Sequence, residues 1–235
     1  MSAALLLLAA MAGHGDHAAP TVHAGHDGLT YWMVRGELDA GRTGNEEDFF
    51  SWDAEAWIGG DSSKLWLKSE GESVAGDLHN AEVQALYSVP VSDFWDLQAG
   101  MRYDFEPDGR AYLAIGLEGL APYFFETEAT AFLSEDGDLS LRLKQEFDLL
   151  LTQRLVLTPS AELKASASDV PELGLGAGFT EAKLELTLRY EITRKFAPYV
   201  ALEYERALGE TASIARAAGE SVETTSLRAG LRFWF

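Results

Sequence analysis

Residues 13–27 carry four of the five histidines of the chain, together with two aspartates. Imidazole nitrogen suits copper(II) and thioether sulfur suits copper(I), and Met33 is the nearest methionine beyond this stretch. A flexible chain can fold such side chains around one ion. The candidate metal ligands are therefore His14, His17, His23, His26, Asp16 and Met33. The alternative is a low-complexity linker whose solvated histidines bind nothing, and the residues alone leave both readings open.

A short apolar run precedes the histidines. Leu5–Leu8 is followed by Ala10-Met11-Ala12, an A-x-A pattern that predicts cleavage before Gly13, as in a secretory signal. The basic segment that normally begins a signal peptide is missing, so we expect a truncated start; the alternative is a plain apolar N-terminus. The predicted organisation is a signal peptide at 1–12, a flexible histidine-rich segment at 13–27 and one folded domain at 28–235.

The composition excludes several classes of protein. A formal net charge of -20 argues against nucleic-acid binding, because phosphates would be repelled. The absence of cysteine excludes disulfides and zinc–thiolate sites. No stretch approaches the roughly 20 apolar residues of a membrane-spanning helix.

The domain that follows is built from alternating residues. From residue 29 onward, apolar and polar side chains alternate with a period of two. The alternation recurs in about twelve segments: 32–39, 50–58, 64–72, 78–89, 94–106, 110–119, 122–133, 139–149, 154–164, 179–191, 196–206 and 222–235. Segments of roughly 9 to 14 residues fit tilted outer-membrane strands better than the ~5 to 6 residues of soluble sheets.

Periodicity alone fits either a soluble sandwich or a membrane barrel, because the polar face mixes both signs of charge. Short turns such as 106–109 and a last strand ending in Phe235 favour the barrel. So do aromatic residues near strand ends, which would form interfacial girdles: Trp32, Trp52, Trp95, Tyr103, Phe105, Tyr123, Phe124, Phe125, Tyr199, Phe233 and Trp234. We predict an all-β, transmembrane, antiparallel up-and-down β-barrel of about twelve strands.

The polar face of these strands would line the lumen. Its candidate acids are Glu37, Asp39, Asp53, Glu55, Glu82, Glu126 and Glu128, with lysines and arginines interspersed. One interpretation is an acidic conduit that attracts cations, as rings of carboxylates do in cation channels. The other is a set of paired charges that fills and stabilises a narrow barrel.

Several runs resemble the copper resistance protein B family over residues 28 to 235: LWLKSEGE (65–72), AEVQALYS (81–88), FWDLQAGMRYDFEPDGR (94–110), GLEGLAPYFFE (116–126), LTQRLVLTP (151–159), RYEITRKFAPYV (189–200) and GLRFWF (230–235). The resemblance implies a bacterial outer-membrane barrel of a copper-resistance system, with a periplasmic N-terminal segment. It also implies copper, as Cu(I) or Cu(II), and a periplasmic multicopper oxidase as a partner. Family members often carry a long Met- and His-rich N-terminal segment, which is short here.

The prediction for function is an outer-membrane copper-binding barrel that sequesters copper ions or passes them across the membrane, and not an enzyme. The alternatives are a general porin or structural barrel, and a barrel hydrolase. A hydrolase needs a histidine base on the barrel. His79 is the only candidate, and we expect it on the apolar face near a strand start in a structural role. Met101 is expected to face lipid.

Overall fold

The fold is that of a computed structural model whose described residues are 30–44 and 46–235. The predicted signal peptide and histidine-rich segment lie outside these residues. Within them the strands are β1 (Tyr31–Thr43), β2 (Asp48–Gly59), β3 (Lys64–Val74), β4 (Asp77–Ser92), β5 (Trp95–Glu106), β6 (Arg110–Ala121), β7 (Phe125–Ser134), β8 (Leu139–Glu146), β9 (Leu149–Leu150), β10 (Leu155–Ser166), β11 (Gly178–Tyr190), β12 (Phe196–Ala207) and β13 (Glu223–Trp234).

The strands close into one antiparallel barrel. Each pairs with its neighbours in sequence, and β1 pairs with β13 to complete the ring. The two-residue strand β9 and strand β8 both pair with β10, along different parts of its length. Together they form one interrupted strand of the barrel wall. The described residues therefore form a closed barrel of twelve strand positions, which confirms the predicted fold.

The two ends of the barrel differ. We call the end at which β1 starts, beside Trp234, the proximal end, and the opposite one the distal end. The proximal turns are short, whereas the longest connections, 167–177 and 208–222, are both distal. The second of these contains a helix, α1 (Gly209–Ala218), which ends at Gly219 with a left-handed φ of 79°. Short periplasmic turns and longer outer loops are the rule in such barrels.

The outward face of the strands is an apolar belt. It includes Leu38, Leu65, Leu67, Leu113, Ile115, Leu117, Leu141, Leu143, Leu184, Leu186, Val200, Leu202, Leu227 and Leu231, all of them exposed. A barrel in lipid requires such a surface, whereas water-soluble proteins keep exposed apolar patches small. None of the helices in the described part of the chain is long and apolar enough to cross a membrane.

Four features depart from the sequence-based expectation. The strand expected from residue 122 begins at Phe125, because Pro122–Phe124 forms a 3-10 turn. The strand expected over 139–149 is interrupted at residues 147–148. Tyr199, assigned to an interfacial girdle, is instead buried inside the barrel, with 7% of its surface exposed. Helix α1 was not predicted.

Candidate functional site

The inward face of the barrel is lined with charged and polar side chains. The strand alternation places all seven predicted lumen acids on it: Glu37, Asp39, Asp53, Glu55, Glu82, Glu126 and Glu128. Some pair along the wall. Arg35 Nε lies 3.0 Å from Glu55 Oε1, and these two residues are register partners on β1 and β2. Such pairs join adjacent strands of the wall and do not extend across the lumen.

Arg142 crosses the lumen. It projects from β8 and reaches two carboxylates on β3 and β4: its Nη2 lies 2.8 Å from Glu82 Oε2 and its Nη1 lies 2.9 Å from Glu70 Oε1. A third acid, Glu162 on β10, lies 4.0 Å from its Nε. The guanidinium stands 5.3 Å from the ring centroid of Phe132. Arg142 therefore ties opposite walls together in the middle of the barrel.

Lys68 makes a second crossing from the other side. Its Nζ, on β3, lies 2.8 Å from Glu118 Oε2 on β6 and 2.9 Å from Glu128 Oε2 on β7. Gln98 Nε2 donates to the same Glu118 oxygen at 2.8 Å. The Lys68 side chain is only 13% exposed. Because β3 and β7 are not neighbours in the sheet, this ion pair spans the lumen.

An apolar cluster fills the lumen beside these crossings. Trp66, Leu86, Ala114 and Phe132 are buried against one another, with Trp57 and Tyr112 packed at the edge. Arg102 Cζ lies 4.8 Å from the Phe132 centroid, and Arg102 Nη2 lies 2.7 Å from Glu82 Oε2. Phe132 thus contacts two arginines that hold one carboxylate. Cation–π contacts of this kind contribute ~0.5 to 2 kcal/mol each.

A small cavity remains between the crossings. Its volume is about 60 Å³, room for a few water molecules. It is lined by Arg35, Asp53, Glu55, Lys68, Ser69, Glu70, Glu82, Gln84, Glu128, Arg142, Lys144 and Glu162. Among the residues that the structure covers, no ion pair within 4.0 Å is made by Asp53 or Lys144, and Gln84 Oε1 has no hydrogen-bond partner. Water in this cavity would satisfy these atoms.

The part of the wall formed by β12, β13, β1 and β2 carries a separate network of hydrogen bonds and ion pairs. Tyr199 Oη donates to Asp39 Oδ2 at 2.7 Å, Ser51 donates to the other oxygen of Asp39, and Arg228 pairs with Glu203. Tyr199 lies on β12 and Asp39 on β1, with β13 between them. The tyrosine reaches across because the intervening residue is Gly230: a Cβ there would lie 2.6 Å from Tyr199 Cζ. This glycine belongs to the terminal GLRFWF run.

The predicted metal ligands are divided between two regions. His14, Asp16, His17, His23 and His26 lie outside the described residues. Met33 lies on the lumen side of β1 at the proximal end, opposite Trp57 in the register. Within residues 30–44 and 46–235, no group of three or more histidine, aspartate or glutamate side chains is placed to hold a metal ion.

The other residues singled out in the sequence lie at the ends of the barrel or on its lipid-facing side. His79 is exposed at the distal start of β4, and Met101 is 58% exposed on the lipid-facing side of β5. Glu126 lies near the proximal end beside Glu146, its register partner on β8.

Sequence reasoning missed part of the lumen network. Glu70 and Gln84 were not among the candidates, although each continues the parity of a residue that was assigned to the lumen, Lys68 and Glu82 respectively. Tyr199 was given to the membrane surface because aromatic residues near strand ends usually lie there. Its parity with Glu203 was the signal for the inward face.

Residues 30–235 match the family model described as copper resistance protein B precursor (CopB). Copper resistance protein B of Escherichia coli is 43% identical over 215 residues, which cover 91% of this chain and 72% of that protein. A copper resistance protein B homolog of Pseudomonas syringae pv. tomato is 41% identical over 220 residues, covering 92% of this chain and 74% of that protein.

Solved structures support the architecture. The NanC porin matches with a TM-score of 0.59 at 14% identity, covering 84% of this chain and 98% of its own. The KdgM porin matches with a TM-score of 0.54 at 12% identity, covering 86% and 98%. At such low identity the likeness concerns the fold alone. Together with the apolar belt and the relatives above, it identifies an outer-membrane barrel.

Proposed function

Since this chain belongs to the copper resistance protein B family, we propose that it is the non-enzymatic, copper-binding barrel of a copper-resistance system in the outer membrane. Copper is bound by the histidine-rich segment, with His14, His17, His23 and His26 as the principal ligands. The barrel anchors that segment at one mouth of its lumen. Sequestration is favoured over free passage of the ion.

The observation that carries the proposal is where the chain joins the barrel. Strand β1 starts at Tyr31 at the proximal end, and Met33 follows on the lumen side. Residues 13–27 are therefore tethered at this mouth, within a few residues of a thioether. Glu126 and Glu146 lie at the same end of the lumen as register partners. Nitrogen and sulfur donors then supply the preference for copper.

The crossings of the lumen favour binding over conduction. A copper ion that moves through the barrel must displace Arg142 from Glu82 and Glu70, or Lys68 from Glu118 and Glu128. The same crossings argue against a general porin, whose lumen is an open aqueous channel. A large unselective current across a planar bilayer would favour the porin instead.

The short turns at the proximal end fit a periplasmic orientation, so we place the histidine-rich segment in the periplasm. This position would allow exchange of copper with a periplasmic multicopper oxidase of the same system, as the family resemblance implies. Cleavage before Gly13 would leave the segment as the N-terminus of the mature protein.

The test is copper titration of the full chain in detergent, by calorimetry for Cu(II) and by competition with a chromophoric chelator for Cu(I). We compare the wild type, a deletion of residues 13–27, and a variant with His14, His17, His23 and His26 replaced by alanine. The tight Cu(II) site should disappear in both variants, with loss of nitrogen ligation in EPR spectra. His79→Ala is the matched control and should bind as the wild type does.

A separate variant, Met33→Leu, should weaken Cu(I) binding and leave Cu(II) binding unchanged, because only the thioether is removed while the volume is kept. Equal affinity in the wild type and in the deletion of 13–27 would contradict the proposed site.

A further inference from the structure

Strand β9 has a free edge at the proximal end of the barrel. It pairs with β10 alone and stands last in the order of strands in the sheet. The neighbouring strand β7 starts at Phe125, whose ring centroid lies 4.8 Å from that of Phe147. Before Phe125 the chain forms the turn Pro122–Phe124 and leads back to β6. The hairpin of β9 and β10 therefore extends past β7, with no strand beside it on that side in the described structure.

The backbone of Leu150 faces this free edge. Leu151 N–H donates to Leu155 O at 3.0 Å, and Phe147 N–H donates to Pro159 O at 3.3 Å. The N–H and C=O groups of successive residues in an antiparallel strand point to opposite sides, so those of Leu150 point away from β10. Among the residues that the structure describes, no backbone hydrogen bond reaches either group. The edge thus offers one donor and one acceptor to an added strand.

The side chains beside the free edge are apolar and exposed. Leu149 lies on the lipid side of the hairpin and Leu150 on the lumen side, where it is 65% exposed. Across the gap, Tyr123 and Phe124 are exposed in the turn before β7. Extended peptides bind such sheet edges, because the backbone supplies hydrogen bonds and the flanking side chains supply apolar contacts.

A second copy of this chain and a lipid fit the edge poorly. Two copies in one membrane are related by an axis parallel to the barrels. Strands tilted by about 40° would then cross at roughly 80° at the contact instead of running side by side. An acyl chain has no group that pairs with the N–H and C=O of Leu150, whereas an extended polypeptide supplies both.

The chain that precedes Tyr31 is long enough to reach this edge. Strand β1 starts at the same proximal end, five strand positions away from β9 around the ring. With ~4.8 Å between strands and a tilt of about 40°, a twelve-stranded barrel is about 24 Å wide, so about seven extended residues span the mouth from β1 to β9. Residues 24–30 cover that distance. Thr21 and Val22, which lie just before them, are of types that favour strands.

We propose that residues 20–24 dock on the β9 edge as an added strand, with their backbone paired to that of Leu150. The contact uses backbone groups and needs no copper, so it goes beyond the proposed copper binding and does not depend on it. Docking holds His23 at the proximal mouth whether or not an ion is bound.

The experiment measures disulfide formation between introduced cysteines in the full chain, in detergent with oxidised glutathione and a chelator that removes copper. The chain has no cysteine of its own. Leu151→Cys places one thiol at the edge. Thr21→Cys and Val22→Cys are combined with it in turn, because successive side chains of a strand lie on opposite faces. In the matched control, Ser62→Cys replaces Leu151→Cys; Ser62 is exposed in the proximal turn between β2 and β3, closer to β1 around the ring.

One of the two pairs with Leu151→Cys should form its disulfide on the order of tenfold faster than its counterpart with Ser62→Cys, because docking raises the local concentration of the thiols. Equal rates, or faster reaction with Ser62→Cys, would overturn the proposal. A positive result together with unchanged copper affinity in the deletion of 13–27 would leave the docking in place and contradict the copper site alone.

Two variants of Leu150 separate backbone pairing from apolar contact. Leu150→Pro removes the N–H that points to the free edge and none of the bonds to β10, so the rate should fall to that of the Ser62→Cys pair. Leu150→Ala keeps this N–H and should retain most of the advantage. An advantage that survives Leu150→Pro, or that Leu150→Ala abolishes equally, would overturn pairing through the backbone.

Discussion

Replacement of Arg142 by methionine removes the cation that ties β8 to β3 and β4 while keeping a long side chain against Phe132. The side chains of Arg142 and Glu82 are 10% and 8% exposed, so solvent screens this pair weakly, whereas the Glu70 side chain is 44% exposed and its pair is screened more strongly. Glu82 keeps Arg102 as a partner, but Glu70 loses the cation that lies 2.9 Å from its carboxylate. Removing one partner of a buried ion pair costs about 3 to 5 kcal/mol, and the cost is smaller here because Glu70 is partly solvated and Glu82 keeps a second cation.

We therefore expect Arg142→Met to lower the free energy of unfolding by ~2 to 3 kcal/mol, measured by urea titration of tryptophan fluorescence in lipid vesicles. Conductance should change as well. With the bridge gone, the acids of the central cavity line a wider path, and a cation-selective current should appear across a planar bilayer where the wild type passes little.

Two further variants separate charge from geometry. Arg142→Lys keeps the charge but cannot hold Glu82 with two hydrogen bonds, so we expect a smaller loss of stability and no new current. Combining Arg142→Met with Glu82→Gln removes both partners, and the loss should be smaller than the sum of the single losses. A change below about 1 kcal/mol in Arg142→Met, with conductance equal to that of the wild type, would refute the assignment of Arg142 as a lumen crossing.

Two other variants probe the lipid face and the opposite wall. Leu184→Arg puts a charge at the middle of β11 on the apolar belt and should lower the free energy of unfolding in vesicles by ~2 to 4 kcal/mol; Lys183→Arg, one residue away on the lumen side, should leave it nearly unchanged, and equal effects would contradict the assigned faces. Tyr199→Phe removes the hydroxyl that donates to Asp39 and should cost ~1.5 to 3 kcal/mol in the same assay, whereas a cost near zero would mean that this hydrogen bond adds nothing to stability.

The sequence was sufficient to predict the strands and their two faces, because a period of two assigns each residue to lipid or lumen once one face is known. It was insufficient to predict the partners across the lumen. Arg142 and Glu70 are 72 residues apart, and their meeting depends on the closure and tilt of the whole barrel. The interruption at residues 147–148 and helix α1 also escaped prediction, since each is a local departure from a regular pattern.

The distribution of ligand types limits where copper selectivity can arise. The lumen acids offer only oxygen, the donor preferred by hard cations, and most of them already contact arginine or lysine. The donors that prefer copper are His79 at the distal start of β4, Met101 on the lipid-facing surface, Met33 at the proximal mouth, and the histidines that precede β1 in the sequence. An ion in the central cavity would have to compete with fixed cations for hard ligands, whereas an ion at the proximal mouth is close to the Met33 thioether. Under the proposed copper-binding function, we therefore expect copper to be distinguished from other cations by the histidines before Tyr31 and by Met33, and not by the lumen acids.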